Sequence, residues 1–460
     1  MRTTAIVSVP VLALLVAPTA MRAQPMAGGG DHSLARCNDG TVMAWGYNDY
    51  GQLGNGTNND TNVPVPVSSL MGVTAVSAGV YHSLALAQDS TVWAWGNNSQ
   101  GQLGHGPGGN SDAPMQVTAL TDVVTMAGGG YHSLALKDDG TAWAWGFNFF
   151  GQLGNGSTTA SNVPVQVSSL TGMIAIAGGR DHTVALKNDG TVWTWGRNDQ
   201  GQLGDGTNAQ QHLPVQVTTL TGITAVEAGD DYCLALTNDG AVWAWGNNSL
   251  GQLGDGTNTN SSVPVQVLSL TGVLAIAGGG FHAFAMKNDG TVWTWGSNFF
   301  GQLGDGTNTE TNVPVQLAAL STTTSVSGGR QHSLALKNDG TLLAWGDNSE
   351  GELGNGTNTN SNVPVAVTAL CSMANAVDET QPYLSIDVFP NPTSGRLTVL
   401  SSTPSSSFGI QIRSMFGQEV HRSRSSGARS VIDLSAQPAG CYFLTLRTAG
   451  QVITKTLRKE

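Results

Sequence analysis

Charge is scarce in this chain. Charged residues make up 11% of 460 positions, with 19 Lys or Arg against 31 Asp or Glu and a formal net charge of −12. No basic stripe is present to neutralise a phosphate backbone, so nucleic acid is not an expected partner. The arginines that do gather, Arg413, Arg422, Arg424 and Arg429, lie near the C-terminus. Long apolar runs are lacking too. Ala5 to Ala17 is apolar but too short to span a bilayer comfortably, and nothing later is long enough. With Arg2 before it and small Ala20 and Ala23 after it, this run reads as a signal peptide over residues 1–23. The mature protein is therefore expected to be soluble and exported into a compartment that permits disulfides.

Glycine, by contrast, is abundant, with 61 residues, and tryptophan numbers 12. Glycine supplies the positive φ that tight turns demand, which points to an all-β architecture. The tryptophans follow a rule. Trp45, Trp95, Trp145, Trp195, Trp245, Trp295 and Trp345 recur every 50 residues, each followed by Gly. Gly-Gln-Leu-Gly begins at Gly51, Gly101, Gly151, Gly201, Gly251 and Gly301, with Gly351-Glu352-Leu353-Gly354 as the seventh copy. His32, His82, His132, His182, His282 and His332 keep the same register, with Tyr232 in the remaining copy. Such a period means one supersecondary unit stacked on copies of itself.

One unit reads as four strands. They are Val263–Val267, Val273–Ala277, His282–Lys287 and Thr291–Trp295, with a hairpin turn at Asn288-Asp289-Gly290. Pro264 removes a ladder donor, so its strand belongs at a sheet edge. In the last strand type, Trp93 and Trp95 alternate with Val92 and Ala94. Both faces are apolar, one bulky and one small, as blades packed around a ring require. The expected fold is a seven-bladed β-propeller over residues 24–370. Its first copy starts at about Gly28, and Val363–Val367 is a strand left over at the end. That spare strand is expected to complete blade one and close the ring.

Gly130 to Thr141, followed by Trp-Ala-Trp-Gly and Gly-Gln-Leu-Gly, resembles the regulator of chromosome condensation repeat family. The resemblance covers about residues 28–370 and implies a seven-bladed propeller. The founder's nucleotide-exchange activity is not expected here, because its wedge insertion and basic chromatin-binding tail are both missing. The family's secreted bacterial members include a propeller that inhibits β-lactamases by protein binding, which suits an exported chain better.

After a linker over residues 371–383, the segment 384–460 reads as a small all-β module, expected to be a β-sandwich. Turns fall at Asn391-Pro392 and Pro438-Ala439-Gly440. It resembles the C-terminal sorting domain of the type IX secretion system of Bacteroidetes-type bacteria. That implies an encounter with the secretion machinery, then release or anchoring at the outer cell surface.

No catalytic constellation stands out. Pairs such as His82-Ser83 are neighbours in one strand and point to opposite faces, so they cannot act as base and nucleophile. A hydrogen bond between blades is the better role for each His. Seven-fold placement would hold the imidazoles too far apart to share a metal. The Asp205, Asp255 and Asp305 loops lack the further carboxylates of a calcium site and read as turns. No metal, cofactor or enzymatic activity is expected. Cys37 and Cys371 each break the repeat in what would be one blade, so a disulfide that locks the ring is expected between them. Cys233 stands where other copies carry Ser, Thr or Ala and reads as packing.

Strand alternation puts the loop before each His and the loop after each Trp-Gly on one rim. There the copies diverge, and many diverge toward aromatics: Tyr47, Tyr50, Tyr81, Tyr131, Phe147, Phe149, Phe150, Phe281, Phe299 and Phe300. Aromatics are the usual anchors of binding sites. Two readings follow, a protein-binding rim or a lectin-like rim stacking on a surface glycan. Their crowding into blades three, six and one favours a single protein partner on a monomeric propeller.

Overall fold

The computed structural model describes residues 24–371, 373, 386–389, 393–401, 408–414, 419–425, 429–438, 440–447 and 452–459. The expected signal peptide and most of the expected linker lie outside the described residues. The chain divides into two compact units, Met1–Ala376 and Val377–Glu460. Every regular element among the described residues is a strand.

The first unit is a ring of seven four-stranded antiparallel sheets. Blade six shows the plan: inner strand Val273–Gly278, then His282–Lys287, Val292–Gly296 and the outer strand Thr311–Gln316. The proline strands are edge strands that pair only with the tryptophan strand before them. A missing N–H costs nothing on the open side of such a strand.

Blade contacts follow the two faces of the tryptophan strand. Trp145 of blade three is fully buried in one core cluster with Val92 and Ala94 of blade two. Trp95 of blade two packs likewise on Val42 and Ala44 of blade one. Large rings set against small side chains fill the wedge between these blades. Truncating such a ring to Ala costs about 3–5 kcal/mol.

Ring closure differs from the sequence expectation. Val363–Val367 does not complete blade one. Its strand, Ser361–Ala366, pairs with Leu342–Gly346 and finishes blade seven, with Ala366 opposite Leu343 and Ser361 opposite Gly346. Blade one has its own outer strand, Thr61–Pro66. The reason is local: each tryptophan strand takes the next segment of chain as its edge partner, and any other pairing leaves that edge bare. Blade one is short at its inner strand instead, Met26–Gly28, three residues where the other blades have six. Met373 supplies the missing start through an antiparallel bridge to Cys37. It takes the place that Val273 holds opposite Lys287 in blade six. Cys371, two residues earlier, is joined to Cys37 by a disulfide with a Cα–Cα distance of 5.8 Å. Residues 371 and 373 of the expected linker are thus part of the ring.

The second unit has two antiparallel sheets. One runs Ile386–Phe389, Arg396–Ser401, Arg429–Asp433; the other runs Glu419–Ser425, Phe408–Ser414, Gly440–Arg447, Val452–Lys459. Leu397, Val399, Ile410, Ile412, Ile432 and Leu444 form its core. Alternating apolar positions from both sheets meet there, the arrangement of a small sandwich.

Candidate functional site

The ring is held by one repeated hydrogen-bond motif. His32 Nε2 lies 2.9 Å from Ser83 Oγ of the next blade. The same contact links His82 to Ser133, His132 to Thr183, His282 to Ser333 and, across the closing seam, His332 to Ser33. In blade four the partner is the Cys233 sulfur, 3.1 Å from His182 Nε2. Cys233 is therefore more than packing: it holds the hydroxyl's place in the ring. Each serine gives its own proton to a backbone carbonyl of the preceding blade, as Ser83 does to Gln52 at 2.8 Å and Ser33 to Glu352 at 3.0 Å. The imidazole must then donate from Nε2, so the neutral ring carries its proton there. Burial holds the six imidazoles at about 3 or about 4. These His–Ser pairs are fully buried, so no substrate reaches them.

The loops once compared with calcium sites are filled by an amide. Asn248 Nδ2 donates to Asp255 Oδ1 at 3.1 Å, Thr257 O at 3.0 Å and Thr259 O at 3.2 Å. Among the described residues no group of three or more His, Cys, Asp or Glu is placed to hold a metal.

The variable rim is where side chains remain accessible. Its two loop sets lie side by side, since the Tyr47 and Phe147 amides donate to the Asp31 and Tyr131 carbonyls. Tyr47, Tyr50, Tyr81 and Tyr131 form a run of touching rings across blades one, two and three, with centroids 5.2–6.2 Å apart. Phe147, Phe149 and Phe150 form a second cluster, with centroids 5.0–6.4 Å apart. Phe281 stands apart under the Arg330 guanidinium at 5.6 Å. No ring pair joins Phe281, Phe299 or Phe300 to either cluster among the described residues. Eight of the ten aromatics are half-buried, while Phe149 and Phe299 are each 64% exposed.

Charge on this rim was not foreseen. Arg197 lies over Phe150 at 5.5 Å and pairs with Asp199 at 2.6 Å, Asp231 at 3.4 Å and Asp181 at 3.7 Å. A groove forms between Tyr131, Phe147, Phe150, Arg180, Asp181 and Arg197. Burial pushes the Asp181 carboxyl up to about 6 despite its arginine neighbours. At the mouth of the glycine-lined axial channel, Arg330 Nε reaches Asp230 at 3.2 Å. The sequence signal was present: the loop pairs that lack an aromatic read Gly30-Asp31, Arg180-Asp181, Asp230-Asp231 and Arg330-Gln331.

Comparison with known proteins places these features in families. An RCC1-like domain model matches residues 158–381. The regulator of chromosome condensation (RCC1) repeat matches residues 39–86 and 89–136, and a second model of that repeat matches 73–102 and 123–152. A secretion system C-terminal sorting domain matches residues 387–460. Prp20p of Saccharomyces cerevisiae, a protein studied for binding to Gsp1p and histones, is similar in structure. It is 23% identical over 76% of this chain and 88% of its own, with a TM-score of 0.65. Human WBSCR16 is 26% identical over 72% of this chain and 94% of its own, also with a TM-score of 0.65.

Proposed function

The chain belongs to the regulator of chromosome condensation repeat family and ends in a type IX secretion sorting domain, and from that premise we propose that it is an exported binding propeller that captures another protein on its aromatic rim. The sorting domain marks it for the cell surface or the medium of a Bacteroidetes-type bacterium. The observation that carries the reading is the pair of tyrosine and phenylalanine clusters, the second of them ending in exposed Phe149, with exposed Phe299 on the same rim in blade six. Rigid aromatic anchors beside paired charges are what protein hot spots are made of. Sugar sites repeated once per blade would need equivalent rings in all seven copies. Blades four and five instead carry Arg180-Asp181 and Asp230-Asp231 at the position of Tyr81 and Tyr131. The reading includes no catalysis, because the buried serines give their protons to a carbonyl and not to the imidazole.

Affinity capture of exported and surface proteins on the immobilised full chain tests this, each captured protein then being titrated in pure form. Phe149→Ala is expected to weaken a true partner by about tenfold or more, as loss of a hot-spot ring does. Strong glycan-array binding that vanishes with Phe149→Ala would replace this reading with the lectin one.

A further inference from the structure

The seam between blades seven and one breaks a rule that five of the six other copies keep, Gln52 of blade one being the copy whose Nε2 also lacks a partner. At the second position of Gly-Gln-Leu-Gly, the glutamine Oε1 accepts from a nearby backbone amide, as Gln102 does from Gln100 at 2.9 Å. Its Nε2 then donates to a rim acceptor. Gln102 and Gln252 donate to Asn97 and Asn247, and Gln302 donates to Ser297. Gln152 and Gln202 donate to Asp181 and Asp231. The acceptor thus sits either five residues earlier or on the His loop of the next blade.

In the seventh copy this residue is Glu352, 1% exposed. Its Oε2 accepts from the Glu350 amide at 3.0 Å, as the glutamine carbonyl does. Its Oε1 stands where the amide nitrogen stands elsewhere, and it has no hydrogen-bond partner. The two acceptor positions it faces hold Asp347 and Asp31. Three carboxyl groups therefore take the positions where one donor and one acceptor are paired in five other blades. Glu350 adds a fourth at the surface. The rim arginines are committed elsewhere: Arg180 and Arg197 pair with Asp181, Asp199 and Asp231, and Arg330 pairs with Asp230. No ion pair reaches Asp31, Asp347, Glu350 or Glu352 among the described residues. Asp347 Oδ1 already accepts from the Asn348 amide at 2.9 Å and the Ser349 amide at 3.3 Å, so the unsupplied oxygen is Glu352 Oε1, and a buried carboxylate oxygen without a donor is costly.

We propose that this seam receives an arginine or lysine side chain of the protein partner, which gives Glu352, Asp347 and Asp31 the donors that a glutamine amide gives in other blades. The inference rests on the protein-binding reading and names the chemistry that the partner must present. A metal ion fits poorly, because the carboxyls do not converge closely enough to form a metal cluster. An extended guanidinium spans such a spread of oxygens. Tyr47 lies alongside, its amide bonded to the Asp31 carbonyl, and Tyr81 touches Tyr47. Those rings give the incoming stem an aromatic wall.

Protonation supplies a second signature. Burial first, then Asp347 and Asp31, push the free Glu352 carboxyl up to about 8. Asp31 in turn faces Arg330, Asp347 and Asp230, and Glu350 faces Asp60, Asp31, Asp347 and Asp49. A bound cation favours the ionised carboxyl, so binding should release a proton near neutrality and tighten as pH rises from 6 to about 8.

The probe is the peptide acetyl-Gly-Gly-Arg-Gly-Gly-amide, titrated calorimetrically into the full chain against its citrulline analogue. The arginine peptide is expected to bind about tenfold tighter than the citrulline peptide, as charge-assisted hydrogen bonds require. Glu352→Gln should erase that preference and its pH dependence. This variant will fold, since Gln occupies the position in the six other copies. Asp31→Asn should weaken arginine binding in the same direction. Equal binding of the two peptides, or an unchanged preference in Glu352→Gln, would overturn the proposal. So would tight calcium binding that Glu352→Gln abolishes. If partner capture still depends on Phe149 in that case, the rim reading survives and only the cation site fails.

Discussion

At the scale of single residues, the hydrogen-bonded histidine ring turns a sequence repeat into a pH dependence. Each imidazole stays neutral because it is buried and donates from Nε2 to the next blade. The unfolded imidazole takes a proton near 6.5, whereas the folded ones resist to about 3 or 4. A lowered folded value means stability is full above 6.5 and is lost as pH falls through that window. Buried carboxyls act oppositely. Glu227, pushed up to about 7 by burial, and Glu352, up to about 8, hold protons that the unfolded chain releases near 4.5. They remove stability as pH rises from 4.5 toward 8. Below about pH 4.5 the effect of these two carboxyls ends while the imidazoles still act, each with a slope of about 1.4 kcal/mol per pH unit, and turn aspartates such as Asp289, held low by hydrogen bonds from Thr291, add to the loss. The urea midpoint should therefore drop steeply between pH 4.5 and 3.5, and should also sag between pH 6.5 and 8. Midpoints that stay flat across both windows would show that these groups are not buried in the folded ring. The histidines were legible from their strict register. Glu352 was visible as a departure, but its meaning was not, because Asp31 lies at the other end of the sequence and meets it only when the ring closes.

At the scale of the element, the Gly-Gln-Leu-Gly motif is a fit between blades. Its second glycine has positive φ and lies against the tryptophan of the next blade. A Cβ on Gly104, φ +72, would stand 2.6 Å from Trp145 Nε1. Gly106 has φ +93 yet meets nothing within 4 Å. The pair separates backbone strain from collision. Gly106→Ala should cost about 1 kcal/mol from strain alone, and Gly104→Ala about 2–4 kcal/mol, with the Trp145 ring displaced. Equal losses in urea denaturation would remove the collision from the account. The same scale shows why the strands were found but the closure was misassigned. A 50-residue period has no origin: any strand of the unit can be taken as its first. Hydrogen bonding sets the origin, and it assigns Ser361–Ala366 to the tryptophan strand before it. The rim aromatics were legible as departures from the repeat. Their grouping was not, because Tyr47 meets Tyr81 and Tyr131 follows only through the curvature of the ring.

At the scale of the whole molecule, the ring has one seam, where its last blade meets its first. There the last strand of blade seven runs on to Met373, which bridges to blade one, and the two blades also share backbone hydrogen bonds from the Arg330 amide to Gly29 O and from the Gly356 amide to Asn62 O, each 2.9 Å. Trp45 packs there on Leu334, Leu342 and Ala344, and its Nε1 donates to Glu352 O at 2.7 Å. His332 meets Ser33 at 2.9 Å, and Cys37 pairs with Met373. The Cys37–Cys371 disulfide, spanning a sequence separation of 334, ties the two ends of the ring into a closed covalent loop. By loop entropy such a link stabilises by up to about 5 kcal/mol, less whatever order the unfolded chain keeps. In a ring, that effect should concentrate at the seam, since blades far from it are tied to both neighbours already. Replacing both cysteines with serine is thus expected to lower the thermal midpoint and to speed hydrogen exchange in Met26–Gly28 and His32–Arg36 first. Exchange in blade four, opposite the seam in chain order, should stay near its original rate until global unfolding. A uniform acceleration in all seven blades would mean that the ring opens as one unit and that the disulfide acts on the unfolded chain alone.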